Sequence, residues 1–151
     1  MRKSLLWAAF AAAMLLACAS CTATAGAEAA HPQPYTATVI SGGVEYPLDL
    51  HPTFFESKES IACFQYLHPE DIADIASSIP FSQDMEIILS PESEAALNKV
   101  AFYDASFAEI KYSSFNDPPQ TAGEYYVIAS TGWNVDGFRS GYQIYYKLII
   151  A

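Results

Sequence analysis

Positive charge is scarce in this chain. Lys and Arg together number 7 against 17 Asp and Glu, a formal net charge of −10. That balance argues against nucleic acid as a partner and against any electrostatic attraction to anionic lipid. It fits a solvated domain held off a negatively charged surface. The acidic residues are scattered, and no D-x-[DN]-x-[DN]-G loop gathers them into a calcium site. Cysteine is sparse too, with only Cys18, Cys21 and Cys63. Cys21 and Cys63 lie too far apart to read as a zinc motif. The three histidines, His31, His51 and His68, belong to no H-E-x-x-H pattern. No G-x-S-x-G or Ser-x-x-Lys is present either. The sequence therefore supplies no nucleophile, base or cofactor loop, and the expectation is a protein that is not an enzyme and carries no cofactor. Pairs such as Glu92 with Glu94, or Asp71 with Asp74, read as solvated faces.

Long apolar runs are missing except at the start. Arg2 and Lys3 precede 12 apolar residues, Leu5–Leu16, followed by Ala17 and Cys18. A charged, then apolar, then small-residue order is a secretory signal, and the run is too short for a comfortable span of about 20 residues. Leu15-Leu16-Ala17-Cys18 resembles a bacterial lipobox, although Leu16 is bulkier than the usual small residue. The resemblance implies a signal peptide over 1–17 and a lipidated Cys18 at the mature N-terminus. Each buried acyl methylene contributes about 0.8 kcal/mol, so several palmitate-like chains would anchor the protein stably without a spanning helix. The expected location is then extracytoplasmic, on the bacterial cell membrane. Two alternatives stay open: secretion after cleavage at Ala23-Thr24-Ala25, and an uncleaved anchor helix.

With Cys18 first, 134 residues remain, the size of one domain. Residues 18–34 are small, polar and Pro-containing, and read as a disordered tether reaching at most roughly 50 Å. The domain is expected over 35–151. An oxidising environment would allow a Cys21–Cys63 disulfide. Cys63 lies in the apolar stretch Ile61-Ala62-Cys63-Phe64, which argues instead for a buried, inert thiol.

Alternation with a period of two recurs along this domain. Tyr35–Ile40, the turn Ser41-Gly42-Gly43, and Val44, Tyr46, Leu48 and Leu50 form a hairpin whose Pro47 demands an edge. Thr53–Phe55, Ile61–Leu67, Met85–Leu89, Val100–Tyr103 and Phe107–Tyr112 read as further strands, and Glu92–Asn98 is ambiguous. One short helix is expected at 68–78, with Pro69 in its first turn, Ile72, Ile75, Ala76 and Ile79 along one stripe, and Pro80 ending it. After the loop 116–123 come the two longest strands, Glu124–Trp133 and Tyr142–Ile150. Their core faces are Tyr125, Val127, Ala129 and Trp133, and Tyr142, Ile144, Tyr146, Leu148 and Ile150. Seven or eight short strands imply a mainly β fold, a β-sandwich or a partly open barrel, of which the β-sandwich is the expected form. The last 30 residues or so, with Tyr-Tyr-Val-Ile, a Trp, a Gly-containing turn and Tyr-Lys-Leu-Ile-Ile, resemble the closing hairpin of small immunoglobulin-like domains on bacterial surface proteins. The Cys…Trp…Cys spacing of antibody-type domains is absent.

Aromatic residues are the richest chemical feature. Tyr and Trp join an apolar face to a polar handle, suited to protein contact or sugar stacking. Tyr126 and Tyr145 fall opposite the core face and are candidate contact residues, with Trp133 as a third candidate despite its core register. The expected role is non-catalytic binding or scaffolding at the cell envelope, with a protein partner ahead of a glycan. A secreted hydrolase or inhibitor is the remaining alternative.

Overall fold

The computed structural model describes residues 35–113 and 117–151. The signal peptide, Cys18, Cys21, His31, the tether and Asn116 at the start of the 116–123 loop lie outside the described residues. Ten strands follow in order: β1 Thr36–Ser41, β2 Val44–Leu48, β3 Leu50–Glu56, β4 Ile61–Cys63, β5 Ser78–Pro80, β6 Glu86–Ser90, β7 Ala95–Tyr103, β8 Glu109–Ser113, β9 Gly123–Val135 and β10 Phe138–Ile150. They form a small sheet, β2-β1-β6, and a large one, β4-β3-β10-β9-β7-β8, with β5 also on β10. The small sheet packs on one face of the large sheet, and this is a β-sandwich.

Turn chemistry sets the hairpins. Gly42 and Gly43 both have positive φ, 59° and 73°, between β1 and β2. Asp136 and Gly137 repeat this at 51° and 82° between β9 and β10. Two successive left-handed residues match the twist of the strands they join. The second turn is tighter than the sequence suggests, so β10 starts at Phe138 rather than Tyr142 and pairs with β9 over 13 residues on each strand. Pro47 lies on β2, an edge of the small sheet, as a residue without an N–H requires. The expected strand 44–50 breaks at Asp49, where the chain leaves the small sheet and enters the large one as β3.

The core lies between the sheets. Ala37, Val39 and Leu89 from the small sheet meet Val100, Phe102, Tyr125, Val127, Ala129, Trp133, Tyr142, Ile144, Tyr146 and Leu148 from the large one. These are the alternate positions that the period of two assigns to the interior. Glu92–Asn98 resolves into a single 3₁₀ turn, Glu92–Glu94, and the beginning of β7. Pairing with β9, Ala95 opposite Trp133, overrides the local helix preference of Glu-Ala-Ala-Leu.

The helix expected at 68–78 does not form as a continuous element. Asp71, Ala73 and Ile75 donate backbone N–H groups to the carbonyls three residues back, and Ala76 donates to Ile72. These are isolated turns. Ile79 is withdrawn from the stripe because β5 runs parallel to β10, Ile79 opposite Leu148, and joins the inter-sheet core. Ile72 is fully buried outside that core, while Ile75 is 57% exposed. With its residues sent to different layers, the stripe has no single surface to cover.

Candidate binding surfaces

Strand register decides which aromatic side chains are available. On β10, Tyr145 and Lys147 point away from the small sheet; they pair with Ile128 and Tyr126 of β9. Tyr126 and Tyr145 thus share the outer face of the large sheet, and both are half-buried. Tyr103 of β7 stands opposite Tyr126. Lys147 Nζ lies 5.2 Å from the centre of the Tyr126 ring and 3.8 Å from the Glu124 carboxylate. The Phe107 ring centre is 5.2 Å from that of Tyr126. Burial raises the Tyr145 phenol above its ordinary value, and the Asp49 charge adds to this. Burial also raises Tyr103, with Glu109 and Glu70 contributing.

Residues 64–77 strap part of this outer face. Gln143, buried on β10, accepts from Leu67 N–H at 2.7 Å and donates to the Leu67 carbonyl at 3.2 Å. His51 Nε2 meets the Gln65 carbonyl at 2.8 Å, and Lys147 N–H donates to the Ser77 carbonyl at 2.9 Å. Ala101 and Ile128, both on the outer face, are buried. His51 is therefore a fastening point for the strap, and the His68 backbone N–H donates to Asp71 Oδ2 at 2.8 Å.

Trp133 does not join Tyr126 and Tyr145. It is only 2% exposed, stacked on Tyr35 at 4.5 Å, edge-on to Tyr142 at 5.5 Å, and its indole N–H donates to the Pro91 carbonyl at 3.2 Å. Its ring and its polar handle are both spent inside the fold, which corrects its place among the candidate contact residues. Burial pushes the neighbouring Tyr142 phenol up to about 12, with Tyr35 adding to the effect.

A second surface was not legible as one in the sequence. Residues 61–66 are all exposed, with Ile61 at 67%, Tyr66 at 54% and Phe64 at 41%. The buried thiol expected at Cys63 is corrected here: the residue is exposed and free. Its strand, β4, is an edge strand of only three residues, paired with β3 alone, and no second layer covers it. The Phe64 ring still touches Phe55, edge-on at 5.3 Å. The apolar run Ile61-Ala62-Cys63-Phe64 resembles a core strand in composition; only its place in the sheet order reveals the exposure.

Among the described residues no group of three or more His, Cys, Asp or Glu is placed to hold a metal. No helix among them is long and apolar enough to cross a membrane. Fold and surfaces together describe a β-sandwich domain with a half-buried aromatic face and an apolar edge. No family model, curated protein or solved structure matches the chain.

Proposed function

We propose that the chain is an extracytoplasmic lipoprotein, anchored to the bacterial cell membrane through Cys18, whose β-sandwich binds a protein partner at the cell envelope without catalysis. The anchor rests on the order Arg2-Lys3, Leu5–Leu16, Leu15-Leu16-Ala17-Cys18. One observation favours a protein partner: six consecutive exposed residues, 61–66, put Ile, Phe and Tyr side chains on a sheet edge. Contiguous exposed apolar surface marks interaction sites, and an edge strand also offers unpaired backbone groups to a second chain. Tyr is among the side chains that most often dominate such contacts.

A glycan partner is the second reading, favoured by Tyr126 and Tyr145 sharing one outer face. The two readings separate by where substitutions act. With a photo-crosslinking side chain at position 66 of the full chain in native membranes, the protein reading expects one discrete adduct. Ile61→Ser should abolish it, and Tyr126→Ala should leave it. Co-sedimentation with purified cell-wall polymer, lost in Tyr126→Ala and Tyr145→Ala, would replace the first reading with the second. The anchor is tested apart from both. Wild type should enter the detergent phase and Cys18→Ala the aqueous phase; aqueous wild type would end the lipoprotein reading.

A further inference from the structure

The small sheet ends on a strand with an unguarded edge. At its other side β2 carries Pro47, whose missing N–H suits an edge. β6 has no proline, lysine or bulge, the usual devices that discourage a further strand. It pairs with β1 alone, and its successor β7 joins the large sheet instead.

Register identifies the backbone groups left over. Across the two-residue Gly42-Gly43 turn, Ser41 and Val44 face each other as the pair that exchanges backbone hydrogen bonds. Antiparallel alternation then gives Val39–Tyr46 and Ala37–Leu48 the same bonds and withholds them from Thr38–Pro47, as proline requires. Thr36, Thr38 and Ile40 therefore turn their N–H and carbonyl groups to β6, opposite Ser90, Ile88 and Glu86. Ile87 and Leu89 turn theirs away from β1, and no strand among the described residues takes them. Both residues line a cleft of about 320 Å³, together with Glu86, Ile88, Glu92 and Ala95. Glu86 opens β6 and Glu92 lies just past its end; both are exposed, and no Lys, Arg or His lines the cleft.

We propose that this edge binds an extended basic segment of another protein, which adds to the small sheet as a fourth, antiparallel strand. Backbone bonds to Ile87 and Leu89 hold the segment, and the two carboxylates select Lys or Arg toward its ends. Its side chains opposite Ile87 and Leu89 turn to the space between the sheets and are apolar, while the one opposite Ile88 stays outside. Charge disfavours two closer occupants. Residues 18–34 hold Glu28 and no Lys or Arg, and a second copy brings a net charge of −10. The site lies on the other sheet from residues 61–66 and is independent of the anchor.

The test uses the full chain in detergent and the palindromic peptide acetyl-Lys-Val-Thr-Val-Lys-amide, read by ligand-observed saturation-transfer NMR. Wild type should bind it more tightly than the counterpart with Glu in place of both Lys. Methylating the two valine amide nitrogens keeps the charge and removes the ladder donors, so wild-type affinity should fall at least about tenfold. Glu86→Lys combined with Glu92→Lys should reverse the preference between the two peptides. Its melting temperature should stay near that of wild type, since both side chains are exposed. The methylated peptide is read on wild type, so that arm stands whatever the variant's stability. No binding of the basic peptide by wild type, undiminished binding of its methylated form, or an unchanged preference in the double variant would each overturn the proposal.

Discussion

The β9–β10 hairpin and the segment 61–77 have similar appetites for burial and opposite fates. Both are rich in Ile, Tyr and Phe or Trp. In the hairpin these side chains alternate, so every second one enters the inter-sheet core, and Trp133, Ile144, Tyr146 and Leu148 are all 2% exposed or less. In segment 61–77 only Pro69 and Ile72 are buried, and Ile61, Phe64, Tyr66 and Ile75 remain exposed. Composition is therefore a weak guide to burial. What separates the two regions is how many neighbours the sheet order supplies. The hairpin lies at the centre of the large sheet and beneath the small one, whereas β4 terminates the sheet.

The comparison is sharpest under truncation. Trp133→Ala removes a stacked indole from the core and should destabilise by roughly 3–5 kcal/mol. Tyr66→Ala should change stability by no more than about 0.5 kcal/mol, as exposed positions usually do. Denaturant unfolding measures both, and comparable losses would mean that the exposed edge is part of the core. Ile72→Ala tests the buried isoleucine of the strap. Its expected cost is about 2–4 kcal/mol, with faster proteolytic cleavage inside 64–77. Unchanged protection there would assign the strap's hold to Gln143 and His51 instead.

The smallest effect concerns acid. Asp84 accepts from the Ser82 hydroxyl and from the Gly42 N–H at 3.1 Å, and these bonds hold its carboxyl below the ordinary 3.8. A carboxylate whose pKa is depressed by folding stabilises the fold above its unfolded value, and that contribution fades as pH falls through the folded value. Below about pH 4, wild type should therefore lose stability. Asp84→Asn should lose less over the same window, keeping the part owed to Asp104. The Asp104 carboxyl is likewise lowered, first by the Ser106 hydroxyl and then by backbone N–H groups. Melting curves across that range compare the two, and identical slopes would remove Asp84 from the account.

Much of this architecture was legible because it is written in nearest-neighbour chemistry. Period-two alternation in Tyr125–Trp133 and Tyr142–Ile150 assigned the core faces correctly. The Gly-Gly turn and Pro47 assigned a hairpin and an edge. Register likewise placed Tyr126 and Tyr145 together on the outer face, because alternation alone fixes which side of a strand a residue occupies. Illegible features were those that depend on partners distant in sequence. Ile72, Ile75 and Ile79 carry a valid helical spacing, yet β10 captures Ile79 and dissolves the stripe. Trp133 and Tyr126 are chemically alike, but only Trp133 has Tyr35 and the Pro91 carbonyl waiting for it.

By itself the sequence determined the mainly β class, the inner and outer faces of its longest strands and the acidic surface. Each follows from local propensity, alternation or simple charge. Tertiary structure alone decided that Cys63 is exposed, that 64–77 is a strap rather than a helix, and that the Tyr146 hydroxyl is buried without a partner. All three depend on which strand lies next to which and on what covers the outer face. Burial is a property of packed layers, and a single strand's pattern states which face seeks cover without stating whether cover arrives.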